Sequence, residues 1–299
     1  MSMMKPHFGL FVLALHFACG VCLISPLSSY AAEPGQRVMR VGLISPLSPS
    51  TGPRGVDGFS QRLRELGWVE GQNVVIEPRW AEGRVDRLPA LMTEATERKV
   101  DVLVTWGTRS VLAAKNATRT IPIVAVSMGD PIRGGLTQSL AHPDGNLTGL
   151  SLGWAEGMVG KRLELLRETV PHVSAVAMIG TPDNPVVREM AKELEAVAPT
   201  RSIRARLIEV RDPEALERAF KRAAKEARAV LVLGDIFTFQ HRVEVAELAI
   251  RYRLPTMYPS REYVDAGGLM SYGVDDAALF RRAADYVDKI LSRHSRNQT

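Results

Sequence analysis

One short plan occurs twice in this chain, and it limits the fold more than any other feature. The first copy spans residues 101–126: an apolar run (VLV), a turn at Thr105-Trp106-Gly107-Thr108, a segment of helical spacing, then IPIVAV. The second begins at Ala229: the apolar run AVLVL, a turn at Gly234-Asp235, another helical segment, then LPTMY. A short apolar run bounded by turn residues and followed by a helix reads as a strand buried on both faces. Two copies of strand, turn, helix and strand predict a duplicated α/β architecture.

The turns carry the chemistry. A strand that ends in hydroxyls and glycine just before a helix leaves backbone N–H groups free to meet an anion. Ligands of open parallel sheets sit at such carboxyl ends. Thr105 and Thr108 make the first turn rich in donors, while Asp235 makes the second an acceptor. If the two copies face one another, a zwitterion satisfies both, with its carboxylate on one lobe and its ammonium on the other. The alternative is structural: Thr108 merely caps its helix.

The rest of the chain keeps the alternation. Strands are expected at 38–44, 74–76, 123–126, 147–152, 175–179 and 204–210, with the last near a sheet edge because its residues alternate. Helices are expected at 84–99, 158–170, 186–197 and from 213 to 227. Asn184-Pro185 and Asp212-Pro213 have the order of a cap followed by a first-turn proline. Asp275 or Asp276 is expected to cap a last helix with Leu279, Ala283, Tyr286 and Ile290 on one face. Asp130, before Pro131, either begins a turn or reaches a ligand.

Residues 1–32 read as an exported leader. Lys5 is followed by an apolar stretch, and small residues at 29–32 offer a cleavage site; an uncleaved anchor is the alternative. Cys19 and Cys22 both fall inside the leader, so the mature chain has no cysteine for a disulfide, a thiolate metal site or a nucleophile. Lipidation of Cys19 is disfavoured by the preceding His16-Phe17-Ala18. The net charge of +5 is scattered, with no basic stripe interleaved with aromatics, which argues against nucleic acid. The chain contains no G-x-G-x-x-G after a strand, no phosphate-binding P-loop and no H-E-x-x-H. His142, His172, His241 and His294 are scattered, without metal spacing. These features predict a binding protein with no catalytic residues, metal or cofactor.

Several stretches together carry a family resemblance: LRELGWVEGQNV (63–74), RWAEG (79–83), LPAL (88–91), TWGT (105–108), IPIV (121–124), GDP (129–131), GNLTG (145–149), GKRLELL (160–166), Asn184-Pro185 and GGLMSYG (267–273). From about residue 38 to 291 the chain resembles the substrate-binding proteins of ABC transporters, in the family that includes tryptophan-binding proteins. The resemblance implies an α/β fold of two Rossmann-like lobes with parallel sheets and an interlobe cleft. It implies export to the periplasm or another extracytoplasmic space, and a monomer that delivers a small solute to an ABC permease in the inner membrane. Characterised relatives suggest amino acids, aromatic ones included. Carried over by position, Ser45, Thr105, Thr108, Asp130, Asn184, Asp235, Tyr258 and Tyr272 line the cleft, with Trp106 and Gly107 in the first turn. Relatives often have a small residue where this chain has Trp106, and Arg109 follows Thr108; both change the size and charge of the cleft.

The expected layout is a leader over 1–32, an N-terminal lobe over 33–148, a C-terminal lobe over 149–273 and a terminal helix over 274–299. That helix is truncated relative to the family pattern, and a return to the N-terminal lobe is one placement for it. Two other functions share these features. A sensor would use the same fold to report occupancy to a signalling partner. An exported hydrolase or isomerase would use Asp130 and Asp235 for acid–base work.

Overall fold

The computed structural model describes residues 37–52, 55–140, 145–152 and 157–296. The expected leader, with Cys19 and Cys22, and His142 lie outside the described residues. The first lobe contains β1 (Met39–Ser45), α1 (Gly55–Glu65), β2 (Val74–Trp80), α2 (Leu88–Glu97), β3 (Val102–Trp106), α3 (Thr108–Ala117), β4 (Ile123–Met128) and β5 (Leu147–Ser151). The second contains α4 (Met158–Thr169), β6 (Ala175–Gly180), α5 (Pro185–Val197), β7 (Arg204–Glu209), α6 (Pro213–Glu226), β8 (Ala229–Val232), α7 (Ile236–Gln240), α8 (Arg242–Arg251), β9 (Thr256–Tyr258), α9 (Arg261–Asp265) and β10 (Met270–Ser271). The long helix α10 (Asp276–Arg296) follows.

Both sheets are parallel, and they share one topology. The first runs β2-β1-β3-β4-β5 and the second, read from its other edge, β7-β6-β8-β9-β10. The strand order therefore reverses at β1/β3 in one lobe and at β6/β8 in the other. Crevices outside the strand ends at such switch points are where open α/β sheets bind ligands. The strands that open the two sequence copies, β3 and β8, are central and buried throughout. Each sheet has a hydrophobic cluster on either face, as expected where helices cover both sides. The alternating β7 lies at an edge.

Two features differ from the sequence reading. The lobe boundary expected at residue 148 falls after Ser151, because β5 pairs with β4 in the first sheet. The helix expected from Asp235 onward is broken into α7 and α8 at His241, which has φ −94° and ψ 20°. At its end the chain returns to the first lobe, one of the placements the sequence left open. Phe280, Ala283, Ala284, Val287 and Leu291 of α10 join Phe59 and Leu63 of α1 in the first lobe's core. These spacings put the α10 residues on one helical face.

The β4–β5 register shifts between Ala125 and Met128. Gly149 lies opposite at φ 150°, and a Cβ there would sit 2.1 Å from the Ala125 carbonyl oxygen. Gly149→Ala is expected to cost about 1–3 kcal/mol through backbone displacement, measured by urea unfolding. A change under about 0.5 kcal/mol would mean the strand pair relaxes freely.

Candidate functional site

The carboxyl ends of the two sheets face a cavity between the lobes. The first lobe contributes Leu47, Trp106, Gly107, Thr108, Ser127 and Gly129. The second contributes Arg162, Asn184, Asp235, Ile236, Phe239 and Tyr263, among others, and α10 adds Asp276 and Phe280. The lobes touch around it. A Cβ on Gly129 would sit 2.7 Å from Val186, and one on Gly107 would sit 3.3 Å from Ile236. Outside the cavity, Arg133 of the first lobe pairs with Glu193 of α5 at 3.0 Å.

The donor-rich turn is built by Gly107. At φ 79° it occupies the N-cap position of α3 without a side chain that could cap the helix. Thr108 is the first helical residue, so it does not act as the cap. Its Oγ accepts from the Gly129 N–H at 3.1 Å, which leaves the hydroxyl proton available. The amides of Ser110 and Val111 turn back to the Gly107 carbonyl, while those of Thr108 and Arg109 have no backbone acceptor among the described residues. Trp106 stands on the same wall. Its ring meets Phe280 edge-on at 5.2 Å, and its Nε1 has no hydrogen-bond partner among the described residues.

Across the cavity, Asp235 caps α7. Its Oδ1 accepts from the Thr238 N–H at 2.8 Å, and the Thr238 hydroxyl in turn accepts from the Asp235 N–H. Burial raises the Asp235 pKa above the ordinary carboxylate value, opposed by the nearby Thr181 and by the bonds from Thr238. Phe239 and Tyr263 form a second edge-to-face pair, 6.0 Å apart. The apolar walls are thus an aromatic pair from each side of the cleft.

The structure places Trp106, Gly107, Thr108, Asn184 and Asp235 around this cavity. It does not bring the other five residues to the lining. The hydroxyl of Ser45 bonds within its own loop, to the backbone of Leu47. Thr105 lies inside β3 and donates to the Ile44 carbonyl at 2.7 Å, so it ties two strands together. Asp130 closes a turn by accepting from the Ile132 and Arg133 amides. Tyr258 is wholly buried and stacked on Tyr263. The Tyr272 carbonyl, rather than its ring, faces inward, and it accepts from Arg162 at 2.7 Å. Asn184 lines the cavity while also capping α5.

Several polar residues of the site were not among those expected, and three of them shape it most. Arg162 sits on α4 beside Leu163, where sequence suggests a solvated helix position, yet it is 1% exposed. Its guanidinium also donates to the Pro259 carbonyl, and burial lowers its pKa to about 10. Asp276 looked interchangeable with Asp275 as a helix cap. In fact Asp275 accepts from the Ala278 amide, which leaves Asp276 to accept from the Ser127 hydroxyl at 2.5 Å. Ser127 is the third. Its φ of 47° is unusual for serine, and it lies where the β4–β5 register shifts. A bulge of this kind redirects a side chain; no local sequence pattern announces it.

Residues 40–297 match the model of a family described as ABC transporter substrate binding protein. A tyrosine-binding protein of Clostridioides difficile is 23% identical over 238 residues, which is 80% of this chain and 68% of that protein. A conserved domain protein from Vibrio cholerae superposes with a TM-score of 0.80 at 23% identity, over 86% of each chain. A Streptococcus pneumonia ABC domain in complex with L-Trp superposes with a TM-score of 0.77 at 19% identity, over 86% of this chain and 85% of that one.

Proposed function

The chain belongs to the ABC transporter substrate binding protein family, and from that premise we propose that it captures an amino acid with a large apolar or aromatic side chain and passes it to an ABC permease of the inner membrane. Members of this family bind small molecules outside the cytoplasm on behalf of an ABC transporter; the periplasm and a monomeric state are the finer proposals here. The observation that carries the reading is one cavity lined by Thr108 and the start of α3 together with two carboxylates, Asp235 and Asp276. Thr108 and the free amides at the start of α3 suit a carboxylate. Half-buried carboxylates suit an ammonium, because an ion leaving water must be paired. The two aromatic pairs offer a flat apolar slot. The ligands named for two of the relatives, tyrosine and L-Trp, fit this chemistry. Ser45, Thr105, Asp130, Tyr258 and Tyr272 serve this reading as supports around the site.

A thermal-shift screen of the amino acids tests it directly. A ligand present at a hundred times its Kd adds about 2.7 kcal/mol to the folded state. A folded protein that no amino acid stabilises at millimolar concentration would sink the proposal.

Closure gives a second test. A Cβ on Gly129 would meet Val186 across the cleft at 2.7 Å and Thr108 Oγ of its own lobe at 3.1 Å, so a methyl there acts chiefly as a wedge against closure. Gly129→Ala is expected to weaken ligand binding on the order of tenfold, equivalent to about 1–2 kcal/mol of overpacking, with little change in the melting point of the empty protein. Calorimetry on both proteins checks it; equal affinity would mean that Val186 moves aside without cost.

A further inference from the structure

We infer that Asp276, held by Ser127 at the mouth of α10, is the residue that receives the ligand's ammonium group. The inference rests on the amino-acid reading above and names the residue that sets its charge selectivity.

Two carboxylates line the cavity, and they are not equivalent. Asp235 is occupied by its helix: Oδ1 takes both the Thr238 amide and the Thr238 hydroxyl, at 2.8 and 3.2 Å. Asp130, the other acidic candidate in the sequence, is not in the lining and closes its own turn. Among the described residues, Asp276 accepts from Ser127 and from no other side chain, and no basic side chain pairs with it. Asp276 is half-buried, and a carboxylate partly withdrawn from water without a cation carries part of the desolvation penalty of a buried ion. A charged donor arriving with the ligand offsets it.

The surroundings favour such a ligand. Trp106 and Ser260, both in the cavity wall, are at most 9% exposed, and each has a side-chain polar atom without a partner among the described residues. Buried polar atoms of native proteins are nearly all bonded, so these two point to an absent occupant. The first lobe also supplies the opposite end of the recognition. Thr108 and the start of α3 lie on the same wall as Ser127, and Gly129 links them through its bond to Thr108. Ser127 holds a left-handed backbone to make its bond. Strain of this sort persists where the surrounding structure imposes it, and it collects at functional sites. Burial, with the nearby carboxylates of Glu262 and Asp275, raises the pKa of Asp276 to about 6 against the lowering effect of the Ser127 bond; at neutral pH the group is therefore ionised and able to pair.

The test compares three probes by calorimetry at pH 7.5: L-tryptophan, indole-3-propionate, which lacks the amine, and tryptamine, which lacks the carboxylate. The wild type should prefer tryptophan to indole-3-propionate strongly. Asp276→Asn should lose affinity for tryptophan and tryptamine on the order of 10- to 100-fold, the range for a lost hydrogen bond to a charged group. It should leave indole-3-propionate nearly unchanged, so the preference for the amine collapses. Ser127→Ala, which keeps the carboxylate but frees it, should show a smaller loss in the same pattern. Asp275→Asn should bind as the wild type does. The melting point of Asp276→Asn without ligand should not fall, because an unpaired, half-buried charge has been removed, which separates a binding role from a structural one.

If the wild type binds tryptophan and Asp276→Asn retains the preference for the amine, the assignment is overturned while the amino-acid reading stands. Loss of that preference in Asp235→Asn alone overturns the assignment in the same way. If Asp276→Asn does not fold, Ser127→Ala decides: an unchanged preference overturns the assignment. A wild type that binds no amino acid overturns both.

Discussion

Phe280→Ala is expected to lower the unfolding free energy by about 3–5 kcal/mol. The residue is 1% exposed and lies in the core that joins α10 to α1 and to the first sheet. A Cβ placed on Gly55 would come within 2.6 Å of its ring, so α1 has been brought close by a glycine and its neighbours cannot readily collapse into the vacated space. The loss has a transfer part and a cavity part. A third part is the edge-on contact with Trp106, worth about 0.5–1.5 kcal/mol beyond area burial. Phe280 also belongs to the cavity wall, so the substitution removes one of the aromatic faces that hold Trp106 in place. Ligand affinity should fall along with stability. Chemical unfolding monitored by circular dichroism, with the slope compared to the wild type, measures the first effect. A loss below about 1 kcal/mol, far under the usual range for such truncations, would mean that α10 contributes little to the first lobe.

Acidification should release the ligand. For a ligand that brings an ammonium, Kd should be flat between pH 7 and 8 and should rise below about pH 6, approaching tenfold for each further unit. The sign follows from which protonation state the ligand needs. The empty site holds Asp276 with a pKa near 6, an ammonium favours the ionised form, and a proton must therefore leave on binding wherever the group starts protonated. Other charges bear on it: Glu262 of α9 and Asp275 of its own helix raise its pKa, while Arg162 and Asp235 share the cavity. Asp235, also raised by burial, acts in the same direction, so Asp276→Asn should flatten much of the profile but not all of it. Calorimetry in two buffers of different ionisation enthalpy would detect the released proton. An affinity independent of pH from 5 to 8 would exclude a titrating carboxylate at the ammonium.

The same group makes the opposite contribution to the empty protein. Its folded pKa lies above the ordinary value of 3.8, so between those limits the folded state binds more protons than the unfolded one. Its contribution to stability therefore falls as pH rises through that window and stays unfavourable above it. Asp276→Asn should melt higher than the wild type near pH 7, and the difference should vanish near pH 4. This pattern, stability gained where binding is lost, is common at binding sites.

Much of the architecture was open to reading in one dimension. Apolar runs such as those of β3 and β8 can only be strands buried on both faces, and a dozen residues of helical spacing between parallel strands leaves few connections. Caps were equally local: Asn184 and Asp212 bond to amides only two and three residues ahead. The turn at Thr105-Trp106-Gly107-Thr108 could be seen as a strand end facing a ligand, and Trp106, Gly107, Thr108 and Asp235 do meet around one cavity.

What could not be read were roles that depend on partners far along the chain. Thr105 and Thr108 have the same hydroxyl three residues apart, yet one ties β3 to β1 and the other lines the cleft, because the strand ends between them. Asp275 and Asp276 are identical neighbours, yet one caps a helix and the other meets Ser127 across 149 residues of sequence. Arg162 reads as an exposed helix residue until the turn after β9 and the approach to α10 fold over it. Backbone hydrogen bonding and hydrophobic period act over a few residues, so the sequence determined the elements, their order and the duplicated plan. Burial, bulge geometry and the return of α10 are properties of the assembled chain, and they alone decided which hydroxyl, guanidinium and carboxylate face the space between the lobes.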